Sequence, residues 1–188
     1  AEKLNYIMGN PPFVGARLMS ILQKQDVSRI FNGWKNAGNL DYVACWYKKA
    51  ADYITGTSIK VALVSTNSVS QGDAVPTLWK PLFKENININ FAYQTFVWDS
   101  EASAKAHVHC VIIGFSKTKT KDETTGCKKI FSNGSVISAE HINAYLLNAD
   151  DVFIENRSNP LCDVPKMGIG SQPIDDGNFL FDSKNDMD

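Results

Sequence analysis

The tetrapeptide Asn10-Pro11-Pro12-Phe13 follows the apolar run Leu4-Asn5-Tyr6-Ile7-Met8-Gly9. Adjacent prolines fix φ at consecutive positions and remove N–H donors, which leaves backbone carbonyls free to face a ligand. The Asn10 side-chain oxygen adds a further acceptor, and Phe13 adds a flat apolar ring. Converging acceptors beside a ring suit a planar ligand with an exocyclic amino group, such as an adenine lifted out of a duplex. The same residue types also build ordinary stiff turns, because Asn-Pro opens turns and Pro-Pro rigidifies loops. The surroundings favour a site. The turn follows a strand-like run and precedes Val14-Gly15-Ala16-Arg17-Leu18-Met19, where Gly15 permits close backbone approach and a helix-like pattern resumes. A strand, loop, helix succession is where α/β sheets place their ligands.

The elements that must hold this turn follow along the chain. Met19 to Phe31 mixes apolar and charged residues at spacings that predict one or two short helices. Asn32 to Asn39, rich in glycine and asparagine, predicts a loop. Asp41 to Ile54 places Tyr42, Val43, Cys45, Trp46, Ala50 and Tyr53 on one stripe opposite Lys48 and Lys49, which predicts a helix with Asp41 in its first turn. Ile59 to Val64 reads as a buried strand that empties into the polar turn Ser65-Thr66-Asn67-Ser68, a second strand tip near the first. Val75 to Leu82 or Phe83 reads as a helix with Pro76 in its first turn and Pro81 closing it. Ile87 to Tyr93 alternates apolar and polar, and Val108 to Phe115 is a second strong strand. The connector Thr95 to Ala106 has no helical pattern, so these two strands should pair antiparallel.

From Ser116 the texture changes. Lys117 to Gly126 is a solvated charged stretch, and a boundary is expected there, with 1–116 as one unit and 117–188 as another. Asn133-Gly134 between Ile130-Phe131 and Val136-Ile137 signals a hairpin. Ala139 to Leu147 predicts a short helix, and Asp151 to Asp188 is irregular, rich in Pro, Gly, Asn and Asp.

The net charge of −1 gives no overall basic field, which argues against a free-standing DNA binder. Cys45, Cys110, Cys127 and Cys162 form no close pair, so reduced thiols are expected rather than zinc ligands or disulfides, and no metal is expected. Without an apolar stretch of ~20 residues or a signal peptide, a cytoplasmic location is expected. Ala1-Glu2-Lys3 leads almost directly into the strand that carries the turn, leaving no room for earlier elements of an α/β sheet. A fragment of a longer protein is therefore expected.

On these residues the chain resembles the amino-methyltransferases that modify adenine in DNA, which carry Asn-Pro-Pro-Phe or Asn-Pro-Pro-Tyr at the tip of the fourth strand of a seven-stranded sheet. The blocks Leu40 to Tyr47, Val64 to Ser68, Thr95 to Trp98 and His107 to Phe115 are similar to blocks in large bacterial enzymes that fuse restriction and modification. The resemblance covers nearly the whole chain. It implies an α/β fold: a partial Rossmann-like methyltransferase sheet from the fourth strand onward, with an antiparallel last strand, followed by an irregular segment. Residues 1–116 would be the C-terminal half of the catalytic domain, and 117–188 a linker and the start of a target-recognition region. The implied cofactor is S-adenosylmethionine, held in that family mainly by a glycine turn and an acidic residue earlier in sequence than Asn10. The chain would then hold the base side of the site and be inactive alone.

The resemblance also implies roles. The Asn10 side-chain oxygen and the Pro11 carbonyl would accept from the adenine amino group, Pro12 would complete the stiff corner, and Phe13 would stack on the flipped base. Phe96 or Trp98 would approach the other face, or simply pack at a hairpin base. Gly15 and Arg17 are candidate substrate contacts, with Arg17 or Lys105 meeting phosphate. Asp41 and Tyr42 match the block that borders the cofactor, although an acidic helix start explains Asp41 equally well. Ser65, Thr66 and Asn67 are either site residues or default turn formers. His107 and His109 share a strand face without a third metal ligand, which favours a structural role. The implied partner is double-stranded DNA, reached through the full-length protein, with no membrane involved. An open edge before the site strand would let the fragment dimerise. Other readings are an RNA-adenine or protein-glutamine methyltransferase, against which Phe13 and the continuation past Phe115 count, and a non-catalytic protein-binding module.

Overall fold

The computed structural model describes residues 4–98, 108–117 and 128–155, with Arg157, Asn159 and 162–164 beyond them. The chain divides into two compact units, Ala1–Glu155 and Asn156–Asp188, and the architecture below is that of the first. The order is β1 (Tyr6–Gly9), α1 (Ile21–Ile30), α2 (Ala44–Tyr53), β2 (Lys60–Thr66), α3 (Ala74–Lys84), β3 (Ile87–Trp98), β4 (Val108–Lys117), β5 (Lys128–Ser132) and β6 (Ser135–Ala139). The strands form one six-stranded sheet in the order β1-β2-β4-β3-β5-β6.

The direction of the strands decides which ends meet. β1 pairs parallel with β2, from Tyr6 opposite Lys60 to Gly9 opposite Leu63. β4 runs antiparallel to both β2 and β3. The C-terminal tips of β1, β2 and β3 therefore point to the same end of the sheet. The expected antiparallel pairing of β3 with β4 is present, with the connecting residues 99–107 outside the described set.

One face of the sheet carries the core. Phe115 of β4 stacks on Tyr47 of α2 at 5.6 Å and meets Trp79 of α3 edge-on at 6.5 Å. All three rings are fully buried. The Tyr47 hydroxyl shares a hydrogen bond of 2.8 Å with Ser65 Oγ, and the Trp79 indole N–H donates to the Val69 carbonyl at 2.8 Å, so the buried polar atoms have partners. On the other face, the alternation of strand side chains places Ala62, Val64, Phe91, Tyr93, Ile112 and Phe131, all half-buried. Tyr93 and Phe131 stack there at 5.9 Å. The Phe91 ring lies directly over Gly114, where a Cβ would stand 2.1 Å from the ring, so this position has room for hydrogen alone.

Several expected boundaries move. β5 pairs parallel with β3, so the sheet continues across the division drawn at 116/117. α2 begins at Ala44, leaving Asp41 outside its first turn. Pro81 lies inside α3 rather than closing it, and the chain turns only at Asn86, in the left-handed region at φ 64°. The segment after β6 is not the expected helix, because Asn143 takes its backbone donors. Asn143 Oδ1 accepts from the Tyr145 and Leu147 amides at 3.0 and 3.1 Å, and Leu146 turns left-handed at φ 61°. The hairpin at Asn133-Gly134 forms as its sequence dictates, with φ 44° and 79°. Among the described residues no helix is long and apolar enough to cross a membrane.

Candidate active site at the strand tips

β1 ends at Gly9, and the loop beyond it is anchored and exposed by turns. Pro11 is buried, Pro12 is exposed, and Phe13 is half-buried against the core. Asn10 is exposed, and its side-chain amide makes no hydrogen bond with the described residues. A polar tip thus stands free on a corner that a buried proline keeps rigid. Arg17 and Leu18 project from the following 3-10 turn, Ala16–Leu18, and both are exposed. Gly15 adopts φ −63° and ψ 150°, an extended conformation open to any residue. A Cβ there would meet Asp41 Oδ1 at 3.7 Å, an ordinary contact, so this chain does not itself require the glycine.

Asp41 and Tyr42 grip this loop. The Ala16 amide donates to Asp41 Oδ1 at 3.0 Å, and the Tyr42 amide donates to the Val14 carbonyl at 2.9 Å. The other carboxylate oxygen faces the β2 tip, where Ser68 Oγ donates at 2.6 Å and Thr66 Oγ1 at 3.4 Å. Thr66 and Ser68 share a hydrogen bond of 2.8 Å. Tyr42 extends the network to α1 by donating its hydroxyl to Asp26 Oδ2 at 2.9 Å. That hydrogen bond to a carboxylate, together with burial, raises the Tyr42 pKa above the ordinary phenol value.

Beside β1, between α1 and α2, lies a cavity of ≈ 440 Å³ lined by Ile7, Asp26, Tyr42, Cys45, Trp46 and Leu63 among others. Tyr42 and Trp46 meet edge-to-face within it at 5.1 Å. The Cys45 thiol is pushed up to about 11, first by burial and then by the negative Asp26 nearby. Burial also raises the Cys110 thiol.

The other expected site residues separate. Ser65 turns into the core onto Tyr47 and is not available at the tip. Phe96 packs edge-on against Tyr93 at 5.2 Å and lies 6.3 Å from Trp98, which is 48% exposed. Both stand at the same sheet end as Asn10, but β2 and β4 intervene, which places β3 about 14 Å from β1 at ordinary strand spacing. His109 is exposed, whereas His107, Lys105 and Cys127 lie outside the described residues. Ser68, Val14, Asp26 and Trp46 were not anticipated as site neighbours. For Ser68, Val14 and Asp26 the partners lie far away in sequence, 27 positions in the case of Ser68 and Asp41, and no local pattern reports such a contact, whereas Trp46 meets Tyr42 one helical turn away.

Comparison with known proteins accords with this geometry. Residues 1–129 match the family described as MmeI, DNA-methyltransferase domain. The chain is 40% identical to DNA methyltransferase A of Bacillus subtilis (strain 168), an alignment that covers 94% of this chain and 20% of that protein. It is 45% identical to the solved type IIL restriction-modification enzyme MmeI in complex with DNA, with a TM-score of 0.85, over 94% of this chain and 24% of the other. The chain thus spans about a fifth to a quarter of the length of these relatives, and its sheet is that of a partial methyltransferase fold. The chain belongs to the MmeI DNA-methyltransferase domain family.

Proposed function

We propose that this chain is the base-binding part of an adenine-specific DNA methyltransferase within a longer bacterial, cytoplasmic restriction-modification enzyme. The observation that carries the reading is the amide of Asn10, without a hydrogen-bond partner among the described residues and exposed at the β1 tip beside buried Pro11 in a chain of this family. With the target adenine flipped from the duplex, the Asn10 side-chain oxygen and the Pro11 carbonyl oxygen accept its two amino hydrogens. Each hydrogen drawn out of the ring plane weakens the conjugation of the nitrogen lone pair and turns it toward an electrophile. The gain is positioning and preorganisation, because these acceptors are fixed before the base arrives. Phe13 stacks on the base, an interaction worth ~1–3 kcal/mol. Arg17 meets a phosphate, and Phe96 and Trp98 form the rim of the DNA-facing end from β3.

S-adenosylmethionine, which methyltransferases of this kind generally use, supplies an activated methyl group when bound. The residues beside β1 suit one wall of its site. The Tyr42 and Trp46 rings offer an aromatic surface, and the cavity has the size of a small-molecule pocket. The remaining wall belongs, in this reading, to the parts of the longer enzyme that this chain does not span, so the chain alone is inactive. The β1 edge, unpaired among the described residues, supports the same view, and in isolation the chain dimerises through it. Residues 117–188 lead toward the target-recognition region.

The test is methyl transfer by the full-length protein to duplex DNA, with the modified base identified by mass spectrometry. N6-methyladenine is expected, and Asn10→Ala should slow its formation by about 10²–10³-fold, as loss of a preorganised hydrogen-bonding group does elsewhere. Methylation of cytosine, or an undiminished Asn10→Ala enzyme, would refute the assignment.

A further inference from the structure

The family resemblance puts Asp41 beside the cofactor, but both of its oxygens are already engaged elsewhere. Oδ1 holds the Ala16 amide, three residues beyond Phe13, and Oδ2 holds the Ser68 hydroxyl and, at greater length, that of Thr66. The next residue, Tyr42, takes the Val14 carbonyl through its own amide. Two adjacent residues therefore seize the loop by its acceptor at 14 and its donor at 16, as a strand partner would. The same carboxylate ties that loop to the tip of β2. We propose that Asp41 is a positioning residue that locks the Asn10-to-Phe13 corner against the β2 tip and does not bind the cofactor. This deepens the reading above and rests on it for the catalytic consequence.

Three features favour a clamp over a helix-start charge. α2 begins only at Ala44 and has no side-chain cap, so Asp41 offers its carboxylate to none of the helix amides. The Ser68 contact is 2.6 Å, in the range of a hydroxyl donating to an ionised carboxylate. The loop carries two prolines that cannot donate, so the Ala16 amide is among the few backbone donors by which the corner can be held. A corner released by a fraction of an ångström still binds DNA and cofactor, but it presents its oxygens in the wrong place.

The test uses the full-length enzyme. Asp41→Ala should lower kcat by about 10²-fold, the scale of a small misplacement of reacting groups, with the KM for S-adenosylmethionine unchanged within about twofold. Hydrogen exchange of the peptide spanning 13–18 should be about tenfold faster, as loss of a hydrogen bond to a charged acceptor implies. Asp41→Asn should recover most of both, because its side-chain oxygen still accepts from Ala16 and its NH₂ can donate to a rotated Ser68 hydroxyl. Should Asp41→Ala unfold the enzyme, Ser68→Ala removes one arm alone and should show the same split at smaller size. A rise in cofactor KM with kcat intact, or unaltered exchange at 13–18, would overturn the clamp. Methylation of another base by the wild-type enzyme would overturn the functional reading only, since the exchange arm reports the clamp without turnover.

Discussion

Ser65 and Ser68 stand three positions apart at one strand tip and serve opposite ends. Ser65 is fully buried and shares a hydrogen bond with Tyr47, which stabilises the core, while Ser68 turns outward and donates to Asp41 at the site. Ser65 is still in β2, where alternation points it inward, whereas Ser68 lies in the 3-10 turn Asn67–Ser70 that follows. The sequence, which offers both as turn formers, does not show which one stays in the strand. The Asn10-to-Phe13 corner was legible because its chemistry is local: rigidity, missing donors and a ring all lie in adjacent letters. The clamp was not, because Asp41 reaches residues 25 and 27 positions away. Cys45 permits a prediction at this scale. Its thiol ordinarily loses a proton near 9.0 but is held to about 11 in the fold, chiefly by burial. Between these values the unfolded chain has released the proton and the folded chain keeps it, so stability must fall as pH rises from about 9 to about 11. Below pH 9 both states are protonated and the effect vanishes. Urea unfolding across this window should show a steeper decline for the wild type than for Cys45→Ala, and parallel curves would contradict the assignment.

At the scale of elements, α1 shows how a short helix beside the site is started. Ser20 Oγ accepts from the Gln23 amide at 3.3 Å while Gln23 Oε1 accepts from the Ser20 amide at 2.9 Å, a reciprocal capping box. The Ser-x-x-Gln pattern is visible in the letters, and it fixes the helix start more sharply than the mixed apolar spacing of Met19 to Phe31. Helix α1 also carries Asp26, the acceptor for Tyr42, so its register bears on the site. Ser20→Ala should cost ~1 kcal/mol, within the usual 0.5–2 for such caps, read as a lower denaturant midpoint at unchanged m-value. A neutral substitution would mean that tertiary packing alone sets the helix start. The antiparallel pairing of β3 with β4 was readable because connector length and apolar runs constrain it, whereas the insertion of β4 between β2 and β3 was not. The Asn143 turn was not, since its apolar neighbours also fit a helical period and only the side-chain hydrogen bonds decide between the two.

For the molecule as a whole, the sheet is unequally covered. One face is filled by α2 and α3, whereas Phe91, Tyr93, Ile112 and Phe131 on the other are only half-buried. At the edge, β1 pairs with β2 alone among the described residues, and Tyr6 and Met8 are 66% and 82% exposed. A strand edge with free donors and acceptors, flanked by apolar side chains, is a template for another strand. The chain spans about a fifth of its Bacillus relative, and the proposal that a longer enzyme normally completes this edge has a physical counterpart: the isolated chain should complete it with a second copy. Sedimentation of residues 1–188 should give a concentration-dependent dimer. Met8→Lys, which puts a charge on the edge strand without touching the core, should return the chain to a monomer of unchanged helix content. A wild-type chain that stays monomeric at high concentration would show that the edge is protected within the chain itself, and the expectation that it needs a partner would fall.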